Sequence, residues 1–117
     1  LVGVYSRLGG YNDLHGALFA AEITGGELNP QVSEVLEADW FTLDALPQDI
    51  FWWHVPQIKD ALSGQSQAVA SVAYLNPHQE VNSRQELYAL RDSSGLARAE
   101  FYRQYFEEHG QKVQREV

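Results

Sequence analysis

Cysteine and methionine are both absent from this sequence of 117 residues. Without cysteine the chain has no disulfide framework, no thiolate nucleophile and no cysteine-ligated zinc site, and the absence leads us to expect a cytoplasmic protein. Methionine is missing even at position 1, where Leu1 opens directly into an alternating apolar run. A chain that starts in the middle of a strand leaves unpaired backbone groups at the edge of a sheet, so we expect the sequence to be part of a longer protein.

Long apolar runs and basic residues are also scarce. No run approaches the roughly 18 apolar residues of a membrane-spanning helix, so we expect no membrane partner. The formal net charge is -8, and residues 1–82 contain only Arg7 and Lys59 as basic residues against ten acidic ones. Nucleic acids are bound through basic patches, so this balance disfavours them as partners. It leaves room for a small nucleotide held through metal ions.

Charge and turn-forming residues divide the chain into two parts. Residues 83–117 carry six basic and six acidic residues, unlike the acidic part before them. The boundary falls on a polar stretch at 76–82 that contains Pro77, which ends any regular element preceding it. We therefore predict a domain portion at 1–75, a linker at 76–82 and a two-helix C-terminal extension at 83–117.

Apolar alternation predicts strands in the first part. The pattern favours strands at 1–6 and 17–24 and a third strand at 35–41. The stretch at 8–15 is rich in turn formers and longer than a tight hairpin needs, as is typical of a loop that borders a ligand. Residues 68–75 suit either a strand or a buried helix, and their β-branched and aromatic side chains favour the strand.

Capping residues predict the helices. Thr42 is placed to cap a short turn before Pro47, and Pro56 opens a helix that Gly64 closes. The buried face of that helix is predicted to contain Ile58, Ala61 and Leu62. In the extension, a capping-box pattern starts a helix at Ser83, which the stretch at 93–95 ends. A second helix is predicted from Leu96 to a stop at Gly110.

Three stretches within residues 1–62 form a recognisable arrangement: GGELNP at 25–30, the run from Glu34 to Pro47, and WWH at 52–54 before Ile58. Together they resemble the second half of a Nudix hydrolase domain. The resemblance implies an α/β (α+β) fold, a partial Nudix-like mixed-sheet sandwich followed here by the helical extension. The signature box of that family is absent, because no segment has its glycine, glutamate and arginine-glutamate spacing.

The resemblance also implies an activity. Nudix hydrolases cleave the pyrophosphate of a nucleoside diphosphate linked to another group, such as ADP-ribose or a nucleotide sugar, with Mg²⁺ or Mn²⁺ held by the glutamate pair of the box. Because the box is missing, we expect these 117 residues alone to be inactive and to bind no metal. Residues 103–110 echo the end of the box, but Ala89 and Gly95 stand where it needs glycine and glutamate.

Five residues are candidates for the site. The resemblance implies that Glu34 lies near the metal or the catalytic water, and a solvated glutamate is the alternative. Arg7 is placed to meet a substrate phosphate or to pair with nearby acids, with Asn12 and His15 as further substrate contacts from the loop. Trp52 and its neighbour Trp53 cannot both point inward on a regular element, so one of them is either a wall of the substrate pocket or a contact with the missing half of the domain.

The alternative function is a non-catalytic module that senses a nucleotide or binds another protein. Residues 90–101 loosely resemble a helix-turn-helix, although the zero net charge of the extension does not suit DNA binding. Its aromatic residues are expected either to pack against the domain portion or to form a homodimer contact; they are Phe101, Tyr102, Tyr105 and Phe106. The expected partner of the chain remains a nucleoside-diphosphate small molecule.

Overall fold

The computed structural model describes residues 1–77 and 79–106 and the strand backbone at 112–116. No helix in these ranges is long and apolar enough to cross a membrane. In chain order the elements are β1 (Gly3–Leu8), β2 (Leu14–Leu18), a 3-10 turn (Leu43–Ala45), α1 (His54–Leu62), β3 (Val69–Tyr74), α2 (Arg84–Ser93), α3 (Arg98–Tyr105) and β4 (Lys112–Glu116).

The strands form one mixed sheet in the order β2-β1-β3-β4. β1 is antiparallel to β2 and parallel to β3, and β4 is antiparallel to β3. A parallel pair needs a long connection, and here the chain between β1 and β3 contains β2 and α1. The expected class is confirmed at its coarser level: the chain is an α+β protein.

Helix α1 is fixed to the sheet by a buried polar contact. The Tyr5 hydroxyl donates a hydrogen bond to Asp60 Oδ2 at 2.8 Å, and both residues are buried. Trp53 and Gln57 precede Asp60 at helical spacing, so these three side chains share the face of α1 that is turned toward the sheet. A buried carboxylate is favourable only when it is hydrogen-bonded, and the tyrosine meets that need.

This contact explains why the predicted face of α1 is wrong at one position. Leu62 is 62% exposed, whereas Asp60, which the apolar pattern left out, is buried. The helix is oriented so that Asp60 faces its hydrogen-bond donor, and in this orientation Leu62 faces solvent. The helix also begins at His54 rather than at Pro56. Its predicted end is confirmed, since Gly64 follows with a positive φ of 67°.

The core joins the sheet portion to the two-helix segment. Ala73 of β3 and Leu75 just after it pack with Leu87 of α2, and the other buried members of the cluster are Trp53, Phe101, Tyr105 and Phe106. Side chains from residues 1–75 and from residues 83–106 therefore bury one another in a single apolar cluster. Of the two expected uses of the aromatic residues, packing against the domain portion is the one observed.

The predicted helices of the extension are confirmed within the described residues. Ser83 Oγ accepts a hydrogen bond from the Glu86 backbone N–H at 3.1 Å, and Glu86 Oε2 accepts one from the Asn82 backbone N–H at 2.7 Å. These two bonds satisfy donors at the start of α2, as a capping box does. Gly95, with a φ of 73°, separates α2 from α3. The predicted stop at Gly110 lies outside the described residues.

Two of the predicted strands are wrong. The second strand is Leu14–Leu18 rather than 17–24, and the residues at 35–41 contain no strand. Every residue from 19 to 45 is exposed. A strand needs a neighbour for its backbone groups and a surface for its apolar side chains. In the described part of the chain, the pairing of β2 with β1 ends at Leu18, and residues 19–24 and 35–41 pair with no strand. Their apolar composition suits a strand, but they have no neighbouring strand. The strand predicted at 68–75 is confirmed, as is the short turn after Thr42.

Candidate functional site

A cavity of about 340 Å³ lies between the sheet and the start of α1. Its floor is the face of β1 that presents Tyr5 and Arg7, because alternate residues of a strand point the same way. Tyr5 pairs with Gly16 of the neighbouring strand β2, and Arg7 pairs with Ala73 of the neighbouring strand β3. Glycine and alanine leave room on this face, and a Cβ atom at Gly16 would have no neighbour within 4 Å. The small residues beside β1 thus create the cavity.

Arg7 is the cation of this cavity. Its guanidinium carbon lies 5.1 Å from the centre of the Trp53 ring, a cation–π contact. Its Nε is buried and has no hydrogen-bond partner in the described part of the chain. Burial lowers the pKa of Arg7 below its usual value, with the nearby Tyr11 acting in the opposite direction. Arginine remains charged at neutral pH, so the cavity contains a cation with an unused donor.

His54, the first residue of α1, lines the same cavity. The ring lies beside the rings of Phe51 and Trp53, at centroid distances of 6.3 and 5.9 Å, although His54 as a whole is an exposed residue. This partial burial lowers the pKa of His54, a hydrogen bond with Gln57 opposes the shift, and the charge of Arg7 adds to it. Burial and the Arg7 charge therefore both favour the uncharged form of the imidazole.

The tautomer of His54 is assigned from its hydrogen bond with Gln57. Nδ1 of the ring lies 3.3 Å from Gln57 Oε1, and an amide oxygen can only accept. The proton is therefore assigned to Nδ1, and Nε2 keeps its lone pair. The two residues are three positions apart at the start of the helix, a spacing that places them on one side of it. Gln57 thus orients the ring and leaves one nitrogen available to take up a proton.

A second, larger cavity of about 680 Å³ lies on the other side of an aromatic stack. Phe51 stacks on Trp53 with 4.5 Å between ring centres and 9° between the planes. Trp53 lines the smaller cavity of about 340 Å³, which we call the Arg7 cavity after the cation that lines it. Phe51 and Trp52 line the larger one. Trp52 is half-buried, and its Nε1 donates a hydrogen bond to the Phe106 carbonyl at 2.8 Å. Of the adjacent tryptophans, Trp53 is therefore a buried core residue that also lines the smaller cavity, and Trp52 is a half-buried wall of the larger one.

The structure brings only one of the five predicted site residues, Arg7, into the smaller cavity. Asn12 is exposed in the loop after β1. His15 is exposed and pairs with Ser6, with 2.7 Å between Nδ1 and Oγ. Glu34 is exposed and lies near Arg84, whose pKa is raised chiefly by a hydrogen bond with Tyr11 and to a smaller degree by the charge of Glu34.

Sequence reasoning did not single out Gln57, and it left His54 open between a site residue and a hydrogen-bonded structural histidine. The available signal was local, because a histidine and a glutamine three residues apart at the start of a predicted helix can hydrogen-bond each other. Their approach to Arg7 was not readable, since it depends on how α1 docks onto β1.

Comparisons with known proteins return no match: no protein-family model, no curated protein and no solved structure is similar to this chain.

Proposed function

We propose that the chain is part of a Nudix-type pyrophosphohydrolase whose substrate is a nucleoside diphosphate linked to another group, such as ADP-ribose or a nucleotide sugar. In this proposal the Arg7 cavity binds the pyrophosphate. The observation that carries it is the buried Arg7 Nε, a cationic donor without an acceptor among the described residues. An unsatisfied buried donor costs about 1–3 kcal/mol, and a phosphate oxygen toward which the guanidinium turns would satisfy it.

The charge of the whole chain makes this local contact decisive. A formal net charge of -8 repels anions at long range, so a phosphate ligand gains nothing from the general field of the protein. Attraction must come from a cation within hydrogen-bonding distance, where the planar guanidinium matches phosphate geometry. In residues 1–82 the basic residues are Arg7 and Lys59, and Lys59 does not line the cavity.

The metal ions that the resemblance implies do not fit the described residues. Mg²⁺ and Mn²⁺ need several oxygen ligands clustered in space. Within the described ranges no three His, Asp or Glu side chains come together in that way, and Glu34 is exposed away from the cavity. We therefore derive no catalytic step through a metal and assign the Arg7 cavity a role in binding.

Titration calorimetry of the 117-residue chain with ADP-ribose, in buffer containing EDTA, tests the binding role. We expect binding, and we expect Arg7→Gln to weaken it about tenfold or more, because a hydrogen bond to a charged group contributes about 1.5–3 kcal/mol. Arg98→Gln is the matched control, since it removes the same charge from an exposed position on α3. If the wild-type chain does not bind, or if both variants lose affinity equally, the proposal is wrong.

A binding protein without hydrolysis is the second candidate, because the sequence contains no signature box. Incubation of the chain with ADP-ribose and Mg²⁺, followed by chromatography of the nucleotides, distinguishes the two activities. We expect binding without any release of AMP by these residues alone. Release of AMP that Arg7→Gln abolishes would mean that the chain carries its own catalytic groups.

A further inference from the structure

His54 and Arg7 approach the same cavity from two different elements. Arg7 comes from β1 and His54 from the first position of α1, and Trp53 lies beside both, 5.1 Å from the guanidinium carbon and 5.9 Å from the imidazole centre. Both side chains line a cavity of about 340 Å³, so an anion bound there by the Arg7 guanidinium has the imidazole as a second lining group.

We propose that binding of a pyrophosphate in this cavity is coupled to the uptake of one proton by His54, so that affinity rises as the pH falls. This inference rests on the proposed function of the Arg7 cavity and adds its regulation by pH. The proton comes from solvent and is taken up by Nε2, the ring nitrogen that Gln57 does not engage. No bond other than this N–H forms, and none is broken.

The groups that face His54 determine its charge. From β1 these are Arg7 and Tyr5, and the Tyr5 hydroxyl is bonded to Asp60 further along α1. From α1 itself Gln57 faces the ring. The residues that β2 and β3 add to the cavity carry no titratable group: Leu14, Gly16, Ala17, Leu18 and Ala73. Among the described residues, Arg7 is thus the nearest full charge that acts on the empty site.

A bound pyrophosphate reverses the electrostatic environment of the His54 ring. In the empty cavity, partial burial and the Arg7 charge both favour the neutral imidazole. A bound pyrophosphate brings negative charge that offsets the guanidinium and attracts a second cation. Because His54 then binds its proton more tightly, the protonated ring must bind the pyrophosphate more tightly in return, since the coupling between two sites is reciprocal.

ADP-ribose is the probe for the test. Each phosphate in it carries one ester bond and one anhydride bond, so neither has a proton that titrates between about pH 5 and pH 8, the range in which histidine titrates. Affinity is measured by calorimetry across this range in EDTA. We expect the wild-type chain to bind about fivefold more tightly or better at the acidic end. We expect His54→Gln, which retains a polar side chain, to bind with nearly the same affinity throughout.

His15→Gln is the control: His15 contacts the lining residue Ser6 but does not itself line the cavity, and glutamine keeps a polar side chain beside Ser6. This variant should keep the pH dependence of the wild type. In addition, the His54 ring protons are followed by NMR during a pH titration with and without ADP-ribose, and the pKa of His54 should rise on binding. This second measurement needs no variant at that position.

The outcomes separate the two proposals. Absence of ADP-ribose binding at every pH overturns the proposed function and the inference together. Binding whose affinity is independent of pH, a pH dependence that survives in His54→Gln, or a His54 pKa that the ligand does not move overturns the inference alone.

Discussion

Tyr5 at the centre of the sheet and Asp60 on α1 form a buried hydrogen bond across 55 positions of sequence, with 2.8 Å between the tyrosine oxygen and Asp60 Oδ2. Tyr5 also lines the Arg7 cavity. The bond therefore stabilises the docking of α1 and, with it, the position of His54 relative to Arg7.

Replacing Tyr5 with phenylalanine should destabilise the chain by about 1–3 kcal/mol, because the buried Asp60 carboxylate loses a donor while the aromatic ring is kept. Urea denaturation followed by circular dichroism measures the change. Tyr88→Phe is the matched control, since Tyr88 is 38% exposed and its ring contact with Arg91 is retained. Equal stability of the two variants would mean that the Tyr5 bond contributes nothing to the fold.

Removing the N-cap of α2 should lower stability by a smaller amount. Ser83→Ala deletes the acceptor of the Glu86 N–H and should cost about 1 kcal/mol. The same denaturation experiment on Ser66→Ala, an exposed serine outside any helix, gives the baseline for a serine-to-alanine change. A Ser83→Ala chain as stable as that baseline would show that α2 does not depend on this cap.

Gly9 is required by the turn that follows β1. Its φ is 92°, and an added Cβ would collide with the Leu75 carbonyl oxygen. We expect Gly9→Ala to destabilise the chain by about 1–3 kcal/mol through backbone strain alone, and the collision adds to this. Gly25→Ala, where a Cβ would meet nothing within 4 Å, should be nearly neutral. Thermal denaturation of the pair provides the comparison.

The empty protein should lose stability through His54 as the pH falls. Its pKa in the folded chain is lowered from the ordinary value of 6.5, so below about pH 6.5 the unfolded chain binds this proton first. The contribution of the neutral ring is fully present above that pH and declines below it. Without ligand, His54→Gln should therefore lose less stability than the wild type between about pH 7 and pH 5. Identical losses in urea denaturation would contradict the lowered pKa.

The parts of the fold that sequence predicted well are those fixed by neighbouring residues. The α2 cap depends on Ser83 and Glu86, three positions apart, and the end of α1 depends on Gly64 just beyond it. Such local signals act wherever the segment finally packs. Ser83 caps the start of α2, and Gly64 and Gly95 follow α1 and α2 with a positive φ, so these helix ends are set by nearby residues.

The errors arose where the outcome depends on distant residues. Apolar alternation marks residues 17–24 and 35–41 as able to form strands, but only a neighbouring strand makes them do so. The inward face of α1 depends on Tyr5, far away in sequence, which selects Asp60 over Leu62. The candidate site follows the same rule, because the cavity arises from the register that sets Gly16 opposite Tyr5.

The position of Trp53 gives the protein an intrinsic optical reporter. The indole touches the Arg7 guanidinium on the side of one cavity and the Phe51 ring on the side of the other. Indole emission depends on the electric field across the ring, so neutralising the guanidinium changes the colour of the light that Trp53 emits. Displacement of Phe51 alters the packing of the same ring. In a chain whose Trp40 and Trp52 are replaced, the emission of Trp53 should therefore respond to the occupancy of either cavity.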